Sequence, residues 1–340
     1  MKWGFSIGLS LMLIFTTFQS EAVAPKFQKG VNIDIARKDY SLETIKEIVD
    51  TIAKYDGDYL QLHFADDQHH AVDLPGMSPT KRDTLSYEEI KTLIKYSNKR
   101  DVMVVPDIDF PSHAGALLQQ LKKQDKARYK TVVSDFSTNT VDYFDNQEAV
   151  KWSSEYLKDV MSLFEQPKFK GEQRIVIGGD EVPGAMDHQK AFVHFMNKLA
   201  ETAKNKGYQP QIWNDSLTKQ GVQQLDAHVS VLYWNQHEAT HRQQAHVEDL
   251  AKANISVFNY NASTLYFYHR LNILNKRFNS NNNLLNVIML TIDLIILMMH
   301  IMSSPNRIFK VLHCHFGVSM RRRCHNKKYS NNFNHSSKRI

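Results

Sequence analysis

The chain has 340 residues, 42% hydrophobic and 23% charged, enough for one large domain, and nothing in its main body has the composition of a disordered protein. Its net charge of +6 is uneven: residues 269–340 hold twelve Lys or Arg against the single acid Asp293, so they carry +11 and residues 1–268 carry −5. A basic nucleic-acid-binding body is thereby excluded, and the tail has no aromatic interleaving or recognised module of that kind. Both cysteines, Cys314 and Cys324, lie in the tail, so the body has no disulfide framework and no thiolate metal site.

In chain order, Lys2, the apolar run "WGFSIGLSLMLIFTTF" and the small residues of "SEAVA" predict a signal peptide over residues 1–24 and export of the remainder. Strand-like runs follow at 30–36, 58–65, 101–110, 174–181, 208–215, 228–235 and 255–262. Amphipathic segments separate them. "SLETIKEIVDTIAKY" opens on Ser41 and places Ile45, Ile48, Val49 and Ile52 at helical spacing. "SYEEIKTLIKYSNKR" and "HQKAFVHFMNKLAETAKNKG" repeat the pattern, the second closing on Gly207.

Strand–helix alternation predicts parallel strands with helices outside, and seven such strands approach the eight of an α/β (β/α)8 TIM-type barrel. The polar residues fall where a barrel places its chemistry. Asp34 with Arg37, Asp66 with Asp67, Asp107 with Asp109, Asp180 with Glu181, Trp213 with Asp215, and Trp234 all stand at or just after strand ends. In a barrel those ends share one face.

Asp180 and Glu181 are adjacent, in "RIVIGGDE". Both stand at the end of the strand-like run 174–181, where neighbouring side chains point to opposite faces, so one acid is expected to face the barrel interior and the other the cleft. Neighbouring acids do not naturally straddle a sugar ring, as a two-carboxylate glycosidase requires. They suit a reaction in which a substrate 2-acetamido group supplies the nucleophile. A metal site using His63 or His113 is the weaker alternative, because no His pair has helical ligand spacing. No cofactor or metal is expected.

"GGDE" resembles the catalytic signature of family 20 glycoside hydrolases, the β-N-acetylhexosaminidases. "DIAR" (34–37), "LHFADDQ" (62–68), "PDIDFPSH" (106–113), "IWND" (212–215) and "YWN" (233–235) resemble further family motifs in the family's order, over about residues 28–268. With no extra domain between the leading segment and the first strand, the chain is most similar to the single-domain, dispersin-like group. The resemblance implies that Asp180 orients the acetamido group and Glu181 acts as general acid, then base. It gives Arg37 the sugar hydroxyls, Trp213 and Trp234 the pocket walls, and Asp66 and His113 polar support; Asp215, on the Trp213 strand, is also placed with the substrate. It further implies a secreted hydrolase of poly-β-1,6-N-acetylglucosamine, the adhesive of biofilms. A β-1,4 chitin-oligosaccharide exo-hydrolase and a glycan-binding remnant without turnover stand as alternatives.

Three positions depart from the family. Asp107 stands where relatives carry Glu. Thr264 occupies the place of a Tyr that would bind the acetamido oxygen, with Tyr266 as the candidate substitute. Past Tyr268 no Trp-Gly-x-Glu strand follows, so the catalytic barrel is expected over 25–268, incomplete, with low stability and weak turnover. Residues 269–340 resemble a frameshifted reading frame. Their apolar stretch 284–302 is long enough to span a bilayer, although Asp293 at its centre costs about 2.5–3.5 kcal/mol on insertion scales. A membrane partner is expected only if that stretch or the signal segment is retained as an anchor.

Overall fold

The computed structural model describes residues 28–77, 84–234, 243–262 and 265. The leading segment, the stretch 284–302, Thr264 and Tyr266 lie outside the described residues. Seven strands form one parallel sheet in chain order: β1 (Gly30–Asp34), β2 (Tyr59–Ala65), β3 (Met103–Ile108), β4 (Arg174–Val176), β5 (Gln209–Trp213), β6 (Ser230–Tyr233) and β7 (Val257–Asn259). The sequential order, with helices between strands, is that of a TIM-type barrel; seven of its strands are among the described residues.

The helices are α1 (Leu42–Lys54), α2 (Tyr87–Asn98), α3 (Gly115–Gln124), α4 (Lys126–Val132), α5 (Gln147–Leu163), α6 (Gln189–Asn205), α7 (Lys219–Val222) and α8 (Val247–Lys252). Helix α1 begins where Ser41 Oγ accepts the Thr44 backbone N–H, and it buries Ile45, Ile48, Val49 and Ile52. Helix α2 starts on a full capping box: Ser86 Oγ accepts from Glu89 N, and Glu89 accepts from Ser86 N. The 17-residue α5, capped by Asn146, was not anticipated; it fills the long β3–β4 connection and packs with α6. Among the described residues no helix is long and apolar enough to cross a membrane.

The two-residue period of the strands sorts the core into two layers. Leu60, Leu62 and Phe64 of β2 and Val104 and Ile108 of β3 join the large cluster beneath the helices. The alternate residues Tyr59, Met103, Val105, Val176, Trp213 and Leu232 form a second cluster, inside the sheet's curve. Gln61 and His63 share the Tyr59 face of β2, and Asp107 the Val105 face of β3. Register pairs His63 with Asp107, so both rise to the C-terminal rim on the inner face.

Strand β4 is shorter than expected, ending at Val176. Asp180 and Glu181 therefore sit in a turn, and strand alternation does not orient them. Gly178 (φ 111°), Gly179 (φ 98°) and Glu181 (φ 43°) all take left-handed backbone there. A Cβ on Gly178 would meet Phe110 O at 2.1 Å, so only glycine lets this turn lie against the segment after β3.

Candidate active site

The first four strands deliver the charged groups. Arg37 Nη1 donates to Asp34 Oδ2 at 2.7 Å, and its Nη2 contacts Asp66 Oδ2. Asp66 Oδ2 also lies 3.3 Å from His63 Nε2, while His63 Nδ1 lies 3.6 Å from Asp107 Oδ2 and 3.8 Å from Asp109 Oδ2. Asp107 further accepts from Gln61 Nε2 at 2.7 Å, and Gln61 Oε1 accepts from Tyr260 OH at 2.5 Å. A continuous polar chain thus runs from Tyr260, just past β7, to Arg37, beside β1.

His113 links this chain to the two acids. Its Nδ1 lies 3.5 Å from Asp67 Oδ2 and 3.8 Å from Asp66 Oδ2. Its Nε2 lies 3.7 Å from Asp180 Oδ2 and 3.5 Å from Glu181 Oε2. Both acids therefore converge on one imidazole nitrogen although their exposures differ, 23% for the Asp180 side chain and 63% for Glu181. The strand-based expectation of opposite faces is corrected by the glycine turn that precedes them.

Strands β5 and β6 deliver the opposite wall. Asp215 accepts the Glu181 backbone N–H at 2.5 Å and the Trp234 Nε1–H at 2.9 Å. Asn214 Oδ1 accepts Trp234 N–H at 2.9 Å. Trp213 is 9% exposed and meets the Tyr260 ring edge-on at 5.3 Å between centroids. On the side of β3, Ser112 Oγ donates to the Asp180 carbonyl, fixing the turn that carries the acids.

The charges follow from these contacts. Burial pushes the Asp180 carboxyl well above the ordinary range, and Asp215, Asp109 and Glu181 push it the same way. Burial also raises Asp215, and Asp109 is pushed up to about 7. Burial opposes charge on His113, but Asp67, Asp109 and Asp66 outweigh it and raise His113 to about 8. The same contest leaves His63 raised by Asp107, Asp66 and Asp109. Asp66 is held low, because His63, Arg37 and His113 outweigh its burial.

His63, Asp66 and Asp109 bring possible metal-ligand atoms within 4.8 Å of one another, as do His113, Asp180 and Glu181. In the first group Arg37 and a protonated His63 already balance the acids, so a cation would have to displace a proton. The site thus sets the charged groups of the first four strands opposite the indoles of Trp213 and Trp234.

The structure brings together Arg37, Asp66, His113, Asp180, Glu181, Asp215 and Trp234 through the contacts above, with Trp213 packed on Tyr260; Tyr266 lies outside the described residues. Sequence reasoning left out Gln61, Ser112 and Tyr260, named Asp109 only as a strand-end acid, and named His63 only in the weaker metal reading. A signal for two of them was present: "QLH" puts Gln61 and His63 on one face of an otherwise apolar strand.

The glycosyl hydrolase family 20 catalytic-domain model matches residues 28–288. The match continues past Tyr268, where the motif-by-motif resemblance ends. Among curated proteins, the chain is 28% identical over 192 residues to the β-hexosaminidase subunit β of Entamoeba histolytica, covering 51% of this chain and 33% of that one. It is 23% identical over 219 residues to the β-N-acetylhexosaminidase of Cellulomonas fimi, covering 61% and 42%. The chain thus spans less than half the length of these relatives. Among solved structures, dispersin B superposes with a TM-score of 0.63 at 24% identity, over 69% of this chain and 75% of that one. A catalytic module of the pneumococcal exo-β-D-N-acetylglucosaminidase gives 0.58 at 22%, over 69% and 64%. With most of its length under the family model and its acids at the rim of such a barrel, this chain belongs to glycosyl hydrolase family 20.

Proposed function

We propose that the chain hydrolyses β-linked N-acetylglucosamine by a substrate-assisted, retaining mechanism. The observation that carries this reading is the convergence of two adjacent carboxyls, Asp180 and Glu181, on one side of the cleft at His113 Nε2. In the proposed reaction the acetamido oxygen attacks the anomeric carbon as the bond to the leaving oxygen breaks, and Glu181 gives that oxygen a proton. Asp180 accepts the acetamido N–H and balances the oxazolinium charge. Burial favours a proton on Asp180 before the sugar binds; in the proposed scheme that proton leaves to solvent as the substrate enters, and the acetamido N–H donates to the carboxylate in its place. Glu181 then takes a proton from water, which attacks the same carbon, reopens the ring and restores the original configuration. Trp213 and Trp234 would wall the sugar, and Arg37 would hold its hydroxyls with a planar fork.

The substrate proposed is poly-β-1,6-N-acetylglucosamine, supported by the similarity to the single-domain group; export, expected from residues 1–24, accords with a matrix polymer. Two measurements test the mechanism. N-acetylglucosamine-thiazoline, a stable analogue of the cyclised intermediate, should bind the full chain, and Asp180→Ala should abolish binding. On an aryl N-acetyl-β-glucosaminide, Glu181→Gln should lower kcat about 10²–10⁴-fold. Undiminished thiazoline binding in Asp180→Ala sinks the substrate-assisted scheme. Comparing release from β-1,6 and β-1,4 tetramers decides the linkage. Binding of tetramer without turnover would favour the glycan-binding alternative.

A further inference from the structure

Four large apolar side chains are exposed among the described residues, and two of them, Phe136 (51%) and Phe144 (38%), touch each other edge-on at 5.8 Å between centroids. Single exposed apolar residues are ordinary; a contiguous aromatic pair beside a groove is a binding signal. Phe144 stacks on Tyr143 at 4.4 Å and meets the His188 ring edge-on at 5.0 Å. It borders a groove of about 1,170 Å³ that also includes Asp145, Asp187, His188, Lys190 and Lys219.

The groove is joined to the active site by short, specific links. Tyr143 OH donates to Pro183 O at 2.7 Å, and Pro183 stands two residues past Glu181. Asp187 and His188 follow on the same loop, and Thr218, another lining residue, stands three past Asp215. The lining runs onward over Lys190, His194 and Asn197 along one face of α6. The groove therefore draws part of its lining from the same β4–α6 and β5–α7 connections that carry Asp180, Glu181 and Asp215.

We propose that this groove is a second carbohydrate site, holding N-acetylglucosamine units of the polymer away from the bond being cut, with Phe136 and Phe144 as its stacking platform. The inference rests on the hydrolase reading above for the identity of the sugar. The chemistry of the lining supports a neutral glycan. The groove's two acids, Asp145 and Asp187, are matched by Lys190 and Lys219, so it offers no net field for a polyanion. Pyranose rings present an apolar C–H face to an aromatic ring and hydroxyls to a polar rim, and the groove supplies both.

The test uses the full chain carrying Glu181→Gln, so that oligomers are not cut. Calorimetric titration with β-1,6- and β-1,4-linked N-acetylglucosamine tetramers is compared with titration by the monosaccharide thiazoline. Phe136→Ala with Phe144→Ala should raise the tetramer Kd at least tenfold and leave the thiazoline Kd unchanged. Both side chains are substantially exposed, so the fold should tolerate the change; Lys190→Gln with Lys219→Gln, as a second pair, should leave tetramer binding intact at high salt. Unchanged tetramer affinity in the Phe pair, or no tetramer binding by its parent, overturns the proposal. Tetramer binding that depends on the Phe pair, in a chain that ignores thiazoline, would retain the groove and remove the hydrolase reading.

Discussion

The two sides of the barrel rim are built from different materials. The ends of β1 to β4 carry titratable groups in mutual contact: Arg37, Asp66, His63, Asp107, Asp109, His113 and Asp180. The ends of β5 to β7 carry rings: Trp213, Trp234 and Tyr260, with Asp215 as the one carboxylate in contact with them among the described residues. Strands β2 and β3, whose ends carry most of these titratable groups, are buried throughout, whereas β1 and β7, at the two edges of the described sheet, are partly exposed. A charged network needs a dry, rigid frame, since each group's charge depends on contacts 3–4 Å away. A stacking wall needs area and tolerates a looser strand. The difference teaches that titratable contacts gather on one half of the rim and aromatic area on the other, a division the proposed reaction would use for proton placement and for sugar shape.

That division can be broken at the charged side first. Gly178→Ala puts a methyl 2.1 Å from Phe110 O on a backbone at φ 111°, so it should cost about 3 kcal/mol of stability. Thermal unfolding would show it, and a Tm within two degrees of the parent would deny the close fit between the β3 and β4 loops.

His113 tests the network's charge. Its pKa is raised from 6.5 to about 8 on folding, so its contribution to stability is present below pH 6.5 and is lost as pH rises through about 8. The amount is about 2 kcal/mol. His113→Gln should therefore lower Tm at pH 6, match the parent near pH 9, and flatten the fall between. A parallel pH profile in the variant would mean that His113 titrates as it does in water.

On the ring side the smallest effect is expected. Trp234→Phe keeps the wall but removes the 2.9 Å hydrogen bond to Asp215. It should weaken thiazoline binding by about 1 kcal/mol, or roughly fivefold, with little change in Tm. A loss as large as that of Asp180→Ala would show that the wall also governs charge.

Much of this was legible in the sequence for a physical reason. Strands in parallel sheets are short apolar runs, and each of the seven found here falls within an expected run, β4 and β7 covering only part of theirs, while Ser41, Ser86 and Gly207 punctuate helices by local chemistry alone. The long β3–β4 connection was less legible, because α5 is recognisable only by a face that needs α6 to cover it. The orientation of Asp180 and Glu181 was misread because β4 stops at Val176 and the intervening glycines turn the chain. Gln61 was overlooked because its partners, Asp107 and Tyr260, lie 46 and 199 residues away. No local pattern encodes a hydrogen bond across a barrel.

The contact between Gly178 and Phe110 also has a consequence for transplanting chemistry between proteins. Because Gly179 N–H donates to Phe110 O at 2.8 Å and Ser112 holds the Asp180 carbonyl, the acid pair and the loop after β3 form one rigid cassette. A designer who moves "GGDE" alone into another barrel carries the two carboxyls but leaves behind the surface on which they are shaped. The transferable unit is the pair of loops.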